Sequence, residues 1–187
     1  LIIKLLPNFF FNPGEFPAVP KMNGPDNDDF LFNQDPTRGY AKVQCHDYNI
    51  AYNSKNLPNI EIVKDQINAY KEFLIASGDD LKNQMANDFD FLLSVGEIFT
   101  LVAYGQLIIE GAATENIDDD VLDLIFDFMV RDLSKYALDI YSKPASTAEQ
   151  QELCLKMIRK PAVDEAKFHR VLEDHVYSLV GAYEINQ

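Results

Sequence analysis

Apolar side chains recur at helical spacing through most of the chain after Asn59. Segment 59–77 places Ile60, Val63, Ile67, Tyr70 and Leu74 three or four residues apart and meets Gly78, a natural C-terminal signal. Segment 81–113 carries Phe89, Leu92, Leu93, Phe99, Val102, Ala103 and Leu107 around most of its circumference, which predicts a central, buried helix. Segment 118–142 has a sharper stripe of Leu122, Ile125, Phe126, Met129, Leu133, Tyr136 and Ile140. Segment 147–159 predicts a short helix with Leu153, Met157 and Ile158 inward, and 162–183 one with Phe168, Leu172, Val176, Leu179 and Tyr183 inward. Short connections between neighbours predict an all-α fold over 59–187, an antiparallel bundle of about five helices.

Residues 1–58 break this pattern, because they hold seven of the nine prolines. Proline fixes φ, removes a donor and disfavours helix in the residue before it. The region therefore reads as an extended Pro-rich arm. Phe9, Phe10, Phe11, Phe16, Phe30, Phe32 and Tyr40 give it too much aromatic surface for a free linker, so it is expected to lie on the bundle or on a missing core.

Composition adds constraints. With 47% hydrophobic and 25% charged residues the chain is globular in type. A net charge of −14 argues against nucleic-acid binding and against docking to an anionic membrane surface. Apolar runs such as 98–109 are interrupted by Thr100, Gly105 and Gln106, so no membrane span is expected. Cys45 and Cys154 form neither a disulfide framework nor a zinc motif, which points to the cytoplasm. An opening Leu1 within an apolar run suggests a piece of something larger.

Candidate chemistry centres on Asp119-Asp120-x-x-Asp123. Prenyl-diphosphate enzymes hold Mg²⁺ against a diphosphate with this spacing, since hard oxygen ligands suit Mg²⁺. They also need a second acidic wall and cations for the diphosphate. Residues 79–132 hold thirteen acidic side chains but only Lys82 and Arg131 as cations. The alternative is a helix start. Asp118 would cap it, Ile117 would staple onto the first turn, and Asp119 and Asp120 would meet the positive end of the helix dipole, roughly 0.3–1 kcal/mol each. We favour this helix start.

Glu165, His169 and Glu173 stand four residues apart, a metal triplet or a solvated charge ladder. Cys45 and His46 are adjacent on an extended segment and point apart, which disfavours a thiolate–imidazolium pair. Cys154 reads as core. The basic island of Lys156, Arg159, Lys160, Lys167 and Arg170 is expected to face the acidic helix at 118–132, with a subunit contact as the alternative. No residue emerges as catalytic, cofactor-binding or metal-ligating.

Two long phrases carry a family resemblance. "FMVRDLSKYALDIYSKPASTAEQQELCLKMIRKPAVDEAKFHRVLEDHVYSLVGAYEINQ" (128–187) resembles the C-terminal region of large bacterial acyl-CoA dehydrogenases. "AVPKMNGPDNDDFLFNQDPTRGYAKVQCHDYNIAY" (18–52) resembles the extended segment before it. The resemblance implies a parent flavoprotein of fatty acyl-CoA oxidation, in which a glutamate takes the α-proton and FAD the β-hydride. Neither the flavin site nor the catalytic base maps onto this chain. It implies a non-catalytic structural and interaction domain whose partners are the parent's catalytic core and further copies of itself.

Overall fold

The structure is a computed structural model describing residues 2–15 and 45–182 of the chain. It is an all-α bundle, and no strand occurs among the described residues. Seven α-helices follow one another: α1 (Ile2–Phe10), α2 (Tyr48–Asn53), α3 (Pro58–Asn87), α4 (Phe89–Glu115), α5 (Asp119–Tyr141), α6 (Ala148–Met157) and α7 (Glu165–Val171). A π turn (Leu172–Val176) and a 3-10 turn (Tyr177–Leu179) follow α7.

The predicted stripe at 59–77 forms one side of the core: Ile60, Val63, Ile67, Tyr70 and Leu74 are all buried. Pro58 starts α3 at a position where its missing N–H costs nothing. The expected stop at Gly78 is a break in direction instead. Gly78 has φ 46° and ψ −128°, and helix resumes through Asn87. Residues 81–87, expected to open the next helix, thus complete α3. Asp88 then ends α3 and caps α4, accepting the Phe91 N–H at 2.9 Å.

Helix α4 differs from its expected all-round burial. One face enters the core with Phe91, Val95, Ile98, Val102 and Ile109, whereas Phe89, Leu93, Tyr104 and Leu107 are exposed. By length and composition alone α4 is apolar enough to cross a membrane, and 44% of its apolar window is buried in the bundle. Its close neighbours are α5 and α2, and the methyl of Met129 on α5 and the hydroxyl of Tyr52 on α2 fill the space that a Cβ at Gly105 would need. Tyr52 donates to the Val102 carbonyl at 3.0 Å.

Helix α5 follows its pattern, and α6 does so except at Ile158, which ends the helix and is exposed instead of inward. Leu122, Phe126, Met129, Leu133 and Ile140 are buried, with Ile125 and Tyr136 half-buried beside them. Thr147 and Gln150 close a reciprocal capping box at the start of α6, which buries Leu153, Cys154 and Met157.

At both described ends, the region expected as an extended arm is helical. Pro7 lies inside α1, at a cost of about 3 kcal/mol in a free helix. Packing offsets it, since Leu6, Phe9 and Phe10 are buried. Phe9 stacks on Tyr48 at 5.3 Å, and Phe10 meets Tyr48 and Tyr70 edge-on. Phe16, Phe30, Phe32 and Tyr40 lie outside the described residues.

The last expected helix departs furthest. Only 165–171 is α-helical, and Phe168, Val176 and Leu179, expected inward, are exposed. Of this stretch, Lys167 turns inward. Tyr183 lies outside the described residues.

Candidate functional site

The acidic motif starts α5 as a capped helix. Asp118 accepts the Asp120 N–H at 2.7 Å, so the first turn is closed by the residue before the motif. Asp119 and Asp120 then lie near the positive end of the helix dipole. Each also has a cation from elsewhere: Lys55 reaches Asp119 at 2.5 Å, and Arg170 reaches Asp120 at 2.7 Å.

Asp123 differs in kind, being wholly buried. Its carboxylate accepts the backbone N–H of Asn59 at 2.8 Å and the Asn59 amide at 3.0 Å, and it pairs with the Lys167 ammonium. Asn59 in turn accepts the Ala162 N–H at 2.8 Å and donates to the Ala162 carbonyl. Three separate segments, the start of α3, the beginning of α5 and the chain leading into α7, are therefore tied together by one carboxylate and one amide. A buried charge is tolerated only when paired and hydrogen-bonded, and this one is both. The three aspartates diverge to three cations, and the Asp123 oxygens are filled by protein donors. They do not offer one ion a joint set of free oxygens, so the donor set does not fit Mg²⁺.

The basic island is divided among several partners. Lys167 and Arg170 face the acidic helix, as expected, while Lys156 pairs with Glu72 on α3 at 3.2 Å. Arg159 is held through its backbone, its N–H donating to Ser134 at 2.9 Å. Glu165, His169 and Glu173 do not form a triplet on one helical face. The winding changes at Leu172, between His169 and Glu173, so the even spacing does not run through them. Among the described residues no three His, Cys, Asp or Glu side chains converge as metal ligands.

Cys45, His46 and Asp47 go to different tasks. Asp47 caps α2, accepting the Asn49 N–H at 2.9 Å. His46 reaches Glu110 of α4 at 2.6 Å and also contacts the Gln106 amide. The Cys45 carbonyl accepts the Gly14 N–H at 2.7 Å, joining the chain after α1 to the chain before α2. Burial raises the Cys45 thiol above its usual range and pushes that of Cys154 up to about 12, so neither is an activated nucleophile.

An open groove of about 510 Å³ lies between α5 and α7. Leu124, Phe128, Val163 and Phe168 give it an apolar wall, and Arg131 and Lys167 stand at its sides, each already paired with an aspartate. Asp164 caps α7 by accepting the Lys167 N–H at 3.0 Å, and that bond holds its carboxyl below the usual carboxylate range.

Sequence reasoning missed Asn59 and the inward turn of Lys167. One signal was available: Asp123 precedes Phe126 by three residues and Val130 by seven, which places an acid beside the core stripe. No family model matches this chain, and neither does a curated protein or a solved structure.

Proposed function

We propose that the chain is the C-terminal helical domain of a large acyl-CoA dehydrogenase of the bacterial type, an interaction module of cytoplasmic fatty acyl-CoA oxidation without turnover of its own. Its resemblance over 18–52 and 128–187 supports this reading.

The observation that carries it is the surface formed by that same C-terminal stretch. Phe128, Val163 and Phe168 are exposed along the groove between α5 and α7, and Val176, Tyr177, Leu179 and Val180, which follow α7 in the chain, are exposed as well. Exposed apolar side chains gathered along a groove with charged groups at its sides mark a protein contact. In this reading it seats the domain on the flavin-bearing core of the parent. FAD and the base that removes the α-proton belong to that core. The aspartates at 119, 120 and 123 are engaged in pairs with Lys55, Arg170 and Lys167 that tie segments of the domain together.

Titrating the purified chain with FAD and an acyl-CoA tests the non-catalytic part of the proposal. No bound flavin absorbance and no turnover are expected. Stoichiometric FAD binding would overturn it.

A further inference from the structure

We propose that the small polar cavity between α2 and α3 binds a phosphate group, as the free ion or as the end of a monoester. The cavity shares no residue with the groove of α5 and α7 and does not depend on the acyl-CoA dehydrogenase reading.

Two helices bring polar side chains to this place. On α3, Lys64, Asn68 and Lys71 stand at i, i+4 and i+7 and share one face. On α2, Tyr48, Asn49, Tyr52 and Asn53 come from two successive turns and line the other side. The cavity between the helices measures about 110 Å³. Tyr48, Tyr52 and Ile67 are buried beneath it, Asn49 and Lys64 are half-buried at its sides, and Asn53 and Asn68 are exposed at its mouth. Sites for drug-sized ligands run from about 300 Å³ upward, so this one suits a small group.

Three features select an oxyanion, and among oxyanions a phosphate. The first is charge. The chain has 30 acidic and 16 basic residues, yet among the described residues no carboxylate lines the cavity. The Lys64 ammonium does line it, and Lys71 stands over the Tyr48 ring at 5.9 Å with no carboxylate partner among the described residues. The neighbouring acids have other tasks: Asp47 accepts from the backbone and the amide of Asn49, and Glu61 pairs with Lys64 at 2.9 Å. That pair joins solvent-accessible side chains three residues apart on one helix and contributes little, so Lys64 is able to exchange it for a ligand.

The second feature is the Tyr48 hydroxyl, which is buried and receives no hydrogen bond partner from the described residues. An unpaired buried hydroxyl costs free energy, which an acceptor in the cavity recovers. Burial raises this phenol above its usual value, so at neutral pH it keeps its proton and donates. The third feature is direction. Three carboxamides, an ammonium and a phenol converge from two helices, and no Arg is among them. A planar carboxylate is matched by the Arg fork, whereas a tetrahedral oxyanion takes donors from several sides with Lys as a point charge.

Titration of the full chain with sodium phosphate at neutral pH, followed by nuclear magnetic resonance at constant ionic strength, tests the site. The side-chain amide signals of Asn49, Asn53 and Asn68 should shift saturably, with a Kd on the order of 1 mM. Lys64→Gln and Asn68→Asp should each weaken binding about tenfold or more with unchanged helical circular dichroism. Glu61→Gln should tighten it about twofold to fivefold by freeing the ammonium. Tyr48→Phe should weaken it while leaving the phosphate-free chain at least as stable as the parent, because it removes an unpaired hydroxyl. Methyl phosphate separates the two sources: retained affinity assigns the site to a monoester, lost affinity to the free ion, and both uphold it. The absence of a saturable shift by about 20 mM phosphate overturns the proposal. So does binding that Lys64→Gln and Tyr48→Phe leave unchanged, or a Tyr48→Phe chain destabilised without phosphate, which would show a hydroxyl already satisfied by water. Sodium acetate acting on the same signals with equal affinity would assign the cavity to carboxylates and overturn it too.

Discussion

The carboxylate of Asp123 closes on the first turn of a helix sixty-four residues earlier in the chain, accepting the Asn59 N–H at 2.8 Å. The same carboxylate pairs with Lys167, forty-four residues later. One buried charge thus ties together the starts of α3, α5 and α7.

Removing one member of this set should be costly. Asp123→Ala leaves the Lys167 ammonium buried and unpaired, which typically costs about 3–5 kcal/mol. Lys167→Met alone should cost less than Asp123→Ala, because its long stem can be replaced and Asn59 still serves the carboxylate. Urea unfolding of the two single variants and the double variant measures the coupling. Independent, additive effects would contradict the described pairing.

The other two aspartates of the motif should behave differently. Asp119→Asn removes a solvent-exposed pair with Lys55 and should change stability by less than about 1 kcal/mol. The same unfolding series checks this, and equal sensitivity of positions 119 and 123 would show that burial does not separate them.

Two glycines of α4 give an opposed pair. A Cβ at position 105 would stand 2.2 Å from the Tyr52 hydroxyl and 2.8 Å from the Met129 methyl, so Gly105→Ala must displace a buried side chain. It should destabilise by about 1–3 kcal/mol. Gly111 has open space around it, and Gly111→Ala should stabilise by about 0.5–1 kcal/mol through helix propensity. Thermal unfolding of both variants distinguishes packing from propensity.

Much of this architecture is legible in the chain. The stripes of α3 and α5, the cap at Asp118 and the core role of Cys154 follow from spacing and side-chain type alone. Two kinds of feature do not. A helix at α1 contradicts Pro7 locally and exists because Phe9 and Phe10 meet Tyr48, Tyr70 and Phe99, contacts remote in sequence. The inward turn of Lys167 likewise depends on where Asp123 lies in space. Phe168 shows the converse error: its spacing is that of a core residue, but among the described residues nothing covers it, and it remains half exposed. In the candidate site, the Asp-Asp-x-x-Asp pattern was visible, while the fate of each carboxylate was set by cations 44 to 64 residues away.

Alkaline pH should weaken the fold through its buried thiol and phenol groups. Burial pushes Cys154 from an ordinary value of 9.0 to about 12 and Tyr48 from 10.0 to about 12, and raises Tyr52 and Tyr70 as well. A raised folded value means that the unfolded chain releases its proton first. The contribution is therefore complete below pH 9 and declines as pH climbs toward 12, at about 1.4 kcal/mol per pH unit for each group. Stability measured by urea from pH 8 to 11 (about the span those values define) should fall, and Cys154→Ala should flatten the early part of the decline. A curve that is flat across this span would contradict the burial of these groups.

The central proposal is that the apolar surface of α5 and α7 seats the domain on a flavin-bearing core. Calorimetric titration of the full chain into the FAD-loaded catalytic core of a large bacterial-type acyl-CoA dehydrogenase tests it most directly. Saturable one-to-one binding is predicted, weakened about tenfold or more by Phe128→Glu with Phe168→Glu, since large apolar side chains at such contacts carry most of the energy. No heat of binding, or binding that the two substitutions leave unchanged, would contradict it.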